Sequence, residues 1–65
     1  MRDLMYEKCD ATIFIKSDYR NRVHEKCHVF YNTDTNMIEV FEIENKYTYY
    51  YALNDILRMS MRRCD

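Results

Sequence analysis

Apolar and polar positions alternate along most of the chain, most clearly between residues 37 and 53. There Met-Ile-Glu-Val-Phe-Glu-Ile and Tyr-Thr-Tyr-Tyr-Tyr-Ala-Leu flank Glu44, Asn45 and Lys46. Two runs of β-branched and aromatic side chains around a short polar break predict a β-hairpin. Asn45 is the residue of that break best suited to the left-handed backbone a tight turn needs, because its side chain bonds locally. A positive φ is therefore expected at Asn45.

The same alternation predicts a strand over 11–16, with Ile13 and Ile15 on one face and Thr12, Phe14 and Lys16 on the other. Another follows over 27–31, with Cys27, Val29 and Tyr31 opposite His28 and Phe30. The run Asn32-Thr33-Asp34-Thr35-Asn36 is the strongest turn cluster, and it joins this strand to the hairpin as a meander. Residues 1–10 divide their apolar groups between both parities and read as a frayed first strand or a lead-in. Residues 17–26 hold a single apolar Val23 and read as an exposed loop whose later part can extend the next strand.

The segment 54–63 fits two patterns. As a strand, Leu57, Met59 and Met61 alternate with Arg58, Ser60 and Arg62. As a helix, Leu53, Ile56, Leu57, Ser60 and Met61 form a stripe with Asn54 as cap, but Met59 falls off it. The strand accounts for more of the residues. The expected fold is one small all-β domain over residues 1–65, an antiparallel meander of four to five strands, open or closed into a small barrel. The alternative is α+β, an antiparallel sheet with a C-terminal helix over 54–63. No repeat, linker or low-complexity segment is read from the chain.

Composition narrows the chemistry. Glycine and proline are both absent, which excludes phosphate-cradling loops and dinucleotide fingerprints, since both need glycine for close backbone approach. The formal charge is −1, so no global field steers the chain to nucleic acid or membrane. The signs are nonetheless segregated, with Glu39, Glu42 and Glu44 on the hairpin and Arg58, Arg62 and Arg63 near the end. Three cysteines without regular spacing do not form a disulfide framework. With no secretory pattern at the start and no apolar run longer than Tyr49–Leu53, a reducing cytoplasmic location without membrane contact is expected.

His24-x-x-Cys27-His28 is the one constellation with ligand chemistry. Its spacing matches no paired metal motif, and Cys27 and His28 fall on opposite faces of one strand. Ser17 and Ser60 lack a nucleophile's setting, and the three glutamates read as the solvated side of a strand. No enzyme activity, cofactor or metal is expected. The tyrosines carry more information: Tyr47, Tyr49 and Tyr51 share one face, yet Tyr50 occupies the other, whereas a half-solvated sheet should show one polar face. Tyrosine is common at binding hot spots. The expected function is a small interaction protein that binds another protein or its own copy through a tyrosine-rich sheet face, with at least two of Tyr47, Tyr49 and Tyr51 exposed. A nucleic-acid-binding small β-barrel is the alternative, with Arg58 and Arg62 joining the tyrosines as binding residues. In its compact, tyrosine-rich composition free of glycine and proline, the chain resembles small proteins carried by phages and mobile elements.

Overall fold

The computed structural model describes residues 1–64. The elements are β1 (Arg2–Ile15), β2 (Arg20–Asn32), β3 (Met37–Glu42), β4 (Tyr47–Ala52), a 3-10 turn (Leu53–Asp55) and β5 (Ile56–Arg63). All strand pairs are antiparallel, in the order β4-β3-β2-β1-β5. The all-β meander is thus the architecture. The sheet is open, with β4 and β5 as its outer strands, and residues 56–63 form a strand rather than the alternative helix.

The two central strands change partners along their length. β3 pairs only with Cys27–Asn32 of β2, and β5 only with Cys9–Ile15 of β1. The β1–β2 ribbon therefore carries one half-sheet at each end, and the two halves curl over a shared core. The radius of gyration is 11.0 Å, close to the ~11 Å expected of a packed chain of this length.

Between the halves lies a crease made by irregularities in the β1–β2 register. One extra β1 residue falls between Tyr6 and Cys9, and one extra β2 residue falls between His24 and Cys27. Lys8 and Lys26 take left-handed φ values of 50° each at these points. An extra residue switches side-chain parity and sharpens twist, which is how Tyr6 and Cys9, or His24 and Cys27, can all face inward. Each kink is anchored from the opposite strand. The Lys8 N–H donates to His28 Nδ1 at 3.1 Å, and the Lys26 N–H donates to Asp10 Oδ1 at 3.1 Å. The tripeptide Glu-Lys-Cys occurs at both kinks, residues 7–9 and 25–27. This short repeat was visible in the sequence, and it marks the crease.

The core is small: Cys9, Ala11, Ile13, Ile15, Cys27, Val29, Ile38 and Val40 are buried, with Tyr6, Tyr31, Tyr49, Tyr51, Ile56, Met59 and Met61 packed around them. Leu57 does not join Met59 and Met61. The β1–β5 register shifts between Phe14 and Ile15, so Ile56 takes the inward position and Leu57 is 53% exposed.

The predicted loop over 17–26 is shorter, because β2 begins at Arg20. Pairing with β1 holds this half of the strand extended although polar Arg20, Arg22 and His24 stand opposite Ile15, Ile13 and Ala11 and its one apolar residue, Val23, is exposed. Loops 16–19, 33–36 and 43–46 are all four residues long, and each ends in a left-handed residue: Tyr19 (φ 53°), Asn36 (φ 58°) and Lys46 (φ 58°). The positive φ expected at Asn45 thus falls one residue later. Asn45 serves the turn through its side chain instead: the Tyr47 N–H donates to its Oδ1 at 2.9 Å, and its Nδ2 donates to Glu42 Oε1 at 2.7 Å.

A side chain with a Cβ in the left-handed region costs about 1–2 kcal/mol, partly offset by the greater unfolded-state entropy of glycine. Lys46→Gly should therefore stabilise the protein by about 0.5–1 kcal/mol in urea unfolding, whereas Lys46→Val should destabilise it. Asn45→Ala should cost about 1 kcal/mol through its lost hydrogen bonds; an equal response to glycine at positions 45 and 46 would contradict the assignment.

Burial pushes the Cys9 thiol up and the Cys27 thiol up to about 12 from an ordinary 9.0. A group whose folded pKa is raised supports the fold below its unfolded pKa and loses that support as pH rises toward the folded value. Stability should accordingly fall between about pH 9 and 12, and Cys27→Val should flatten that slope in pH-dependent thermal melts.

Candidate interaction surface

The β4 strand pairs with β3 in unbroken register, from Glu42↔Tyr47 to Met37↔Ala52. Tyr47, Tyr49 and Tyr51 share the inner parity with Ile38, Val40 and Glu42, while Thr48 and Tyr50 face outward with Glu39 and Phe41. Tyr49 and Tyr51 pack against the core and are half-buried. Tyr47 is 58% exposed at the rim, its ring centroid 4.7 Å from that of Tyr49. The most exposed ring of β4 is Tyr50, at 60%, on the opposite face. Two β4 tyrosines are thus offered to solvent, but they lie on different faces, and only Tyr47 belongs to the expected trio.

Tyr49 and Tyr51 turn inward because of a gap. Beyond Cys27, β2 leaves β3, and His24 (4% exposed) fills the space between them. His24 Nδ1 lies 2.7 Å from Glu42 Oε2, its Nε2 lies 2.6 Å from the Tyr51 hydroxyl, and its ring is 4.6 Å from that of Tyr49. A carboxylate only accepts, so the imidazole donates from Nδ1; with a neutral ring, Tyr51 then donates to Nε2. Burial, reinforced by Tyr49 and Glu42 and opposed by Arg22, raises the Tyr51 pKa and keeps that hydroxyl a donor. The relay lines a 380 Å³ cleft walled by Arg22, Val23 and Tyr50. Arg22 is itself tied to Asp18 in the β1–β2 loop and holds that carboxyl below its ordinary range. A raised tyrosine pKa is the wrong direction for a nucleophile; the arrangement fits a satisfied polar brace. Its sequence signal was the parity of Glu42, a charge in line with Ile38 and Val40.

The glutamates do not form a solvated strand side. Glu39 is 7% exposed; it accepts from Arg2 at 2.8 Å and from Asn32 at 3.1 Å, with the Arg2 guanidinium 3.8 Å above the Phe30 ring. Glu42 faces the core, and Glu44 alone is exposed.

Arg58 and Arg62 are not brought to the tyrosine trio. They lie on β5, the opposite outer strand, pointing away from Met59 and Met61. Arg58 stacks over Phe14 at 5.0 Å. Arg62 shares a 500 Å³ cleft with Arg63 and Lys26 but also with Asp10, Glu25 and Glu44, so the cleft has no net positive charge.

His24 and Cys27 face inward and His28 outward, stacked on Phe41 at 6.2 Å. Among the described residues no group of His, Cys, Asp or Glu side chains is arranged to hold a metal ion, and no helix is long and apolar enough to cross a membrane.

What distinguishes β4 is its edge. The free edge of β5 carries Arg58, Arg62 and Arg63; the stretch of β2 not covered by β3 carries Arg20, Arg22, Glu25 and Lys26; the stretch of β1 not covered by β5 carries Arg2, Asp3, Glu7 and Lys8. Charged edges resist pairing with a further strand. From Tyr47 to Ala52 β4 has no charge and no break in register. Comparison with protein-family models, curated proteins and solved structures gives no match.

Tyr51→Phe should leave His24 Nε2 buried without a donor and cost about 1–3 kcal/mol in urea unfolding. A double cycle with His24→Phe should recover most of that coupling; a neutral Tyr51→Phe would show that the relay contributes nothing.

Proposed function

We propose that this chain is a small, non-enzymatic interaction module that associates with a second copy of itself along β4. The observation that supports it is the uncharged edge of that strand, flanked by Tyr47 and Tyr50, in a sheet whose other free edges are charged. An extended strand added there gains main-chain hydrogen bonds from the edge and side-chain contacts from both faces. Its own copy is the best-matched occupant. Two β4 strands meeting antiparallel about a two-fold axis bring tyrosines opposite tyrosines, with no like charges across the axis. Such a contact uses the same patch twice and closes as a dimer. The arginine-bearing edge of β5 opposes head-to-tail growth.

Nucleic acid is the weaker occupant. Single-strand binding combines stacked rings with a positive groove, whereas Arg62 and Arg63 are matched by acidic neighbours and Arg58 covers Phe14.

Sedimentation equilibrium should show a concentration-dependent dimer at micromolar concentration. Tyr50→Lys places an edge-guarding charge on an exposed position and should raise the dimer Kd roughly tenfold or more with unchanged circular dichroism. Arg62→Ala should leave the Kd unchanged. A wild-type monomer at all concentrations would overturn the proposal, and so would salt-sensitive binding of single-stranded DNA lost on changing Arg58 and Arg62.

A further inference from the structure

Independently of that surface, the crease holds a pair of thiols with no assigned role. Cys9 and Cys27 are direct partners in the antiparallel β1–β2 register, both wholly buried, with their sulfurs 3.8 Å apart. The Cys27 thiol is also within donating distance of the Cys9 carbonyl at 3.2 Å, and either sulfur can donate to the other. Directly opposed residues of antiparallel strands have Cα atoms about 4.5–5.5 Å apart, inside the range that a disulfide spans. Closing the sulfur gap to the ~2.05 Å of a bond asks each side chain to move by about 1 Å.

We propose that Cys9 and Cys27 form an oxidation site, which a small-molecule disulfide converts into an intramolecular disulfide tying β1 to β2 at the crease. The thiolate of one cysteine attacks the reagent's S–S bond and releases one small thiolate. The second cysteine attacks the resulting mixed disulfide and releases the other. Two electrons pass to the reagent, and the two protein thiol protons leave on the two small thiols formed. The third cysteine, Cys64, is half-buried just after β5, where its N–H donates to the Lys8 carbonyl at 3.1 Å. It stays outside the bonded pair.

Burial sets the rate. Both thiols are held protonated at neutral pH, so exchange proceeds through transient opening of the crease and is slow compared with an exposed cysteine. Reduced, the two strands are joined by hydrogen bonds and packing alone. Oxidised, the bond closes the loop of chain between residues 9 and 27 and restricts the unfolded state.

The test incubates the full chain, and separately Cys64→Ser, with oxidised glutathione, followed by intact mass and non-reducing peptide mapping. The expected product has lost two hydrogens and carries no glutathione on either thiol of the pair. It shows a peptide linked through Cys9 and Cys27, and its Tm is ~10 °C or more higher and reversed by dithiothreitol. In Cys64→Ser the same link should form, which separates it from disulfides involving Cys64. Links that join Cys64 to either partner, glutathione adducts that never resolve, or a linked form that melts lower than the reduced one would each overturn the proposal. Should Cys64→Ser fold poorly, the map of the unaltered chain decides alone.

Discussion

The structure depends on the crease where β1 and β2 kink together. A flat five-stranded sheet of this length would have no second layer to cover its apolar face. Here the central ribbon passes through Lys8 and Lys26 in left-handed conformation and switches side-chain parity, so that residues of both half-sheets pack against one buried cluster. Each kink leaves a backbone N–H out of the ladder, and His28 and Asp10 supply the missing acceptors. These two bonds tie each kink to the opposite strand at its exposed side. Cys9 and Cys27 fit at its centre because a thiol is small and packs as an apolar group.

Curling a sheet without glycine has a recurring cost. Lys8, Tyr19, Lys26, Asn36 and Lys46 all sit at positive φ, and apart from Asn36 none is a residue that favours it. The strain is held by context. The Arg20 N–H donates to Asp18 as the Tyr47 N–H does to Asn45, and Asn32 accepts from Asp34 and Thr35. The core that holds these turns includes two cysteines and an alanine among its buried residues, so much of the remaining cover comes from tyrosines and methionines at its margin. This explains why Tyr49 and Tyr51 are structural rings, while Tyr47 and Tyr50 remain outside.

The same economy bears on the proposed association. Curling leaves several strand edges without partners, and charge guards all but one. In the proposed dimer, β4 is the edge where pairing brings no charge against charge.

Much of the architecture was legible in the chain. Alternation at 11–16, 27–31 and 37–53 reports strands because side chains on a pleated strand project to opposite faces, and that depends on nothing distant. The β5 strand was legible for the same reason, through Met59 and Met61. The absence of glycine excluded phosphate-binding loops outright. The reading of 17–26 as an exposed loop whose later part extends the next strand holds for 17–19, but β2 already begins at Arg20, because β1 holds it there by a non-local pairing that leaves no apolar alternation in the segment. Asn45 has the intrinsic preference for the left-handed turn position, yet loop length and the β3–β4 register place Lys46 there. Which face of Tyr47–Tyr51 is inside, the brace of Glu42, His24 and Tyr51, and the separation of Arg58 and Arg62 from the tyrosines were decided by tertiary structure alone. The sequence by itself determined the period of each strand. The crease determined which parity is core, since an inserted residue exchanges the two faces, and where the strand kinks is settled by partners about eighteen residues away.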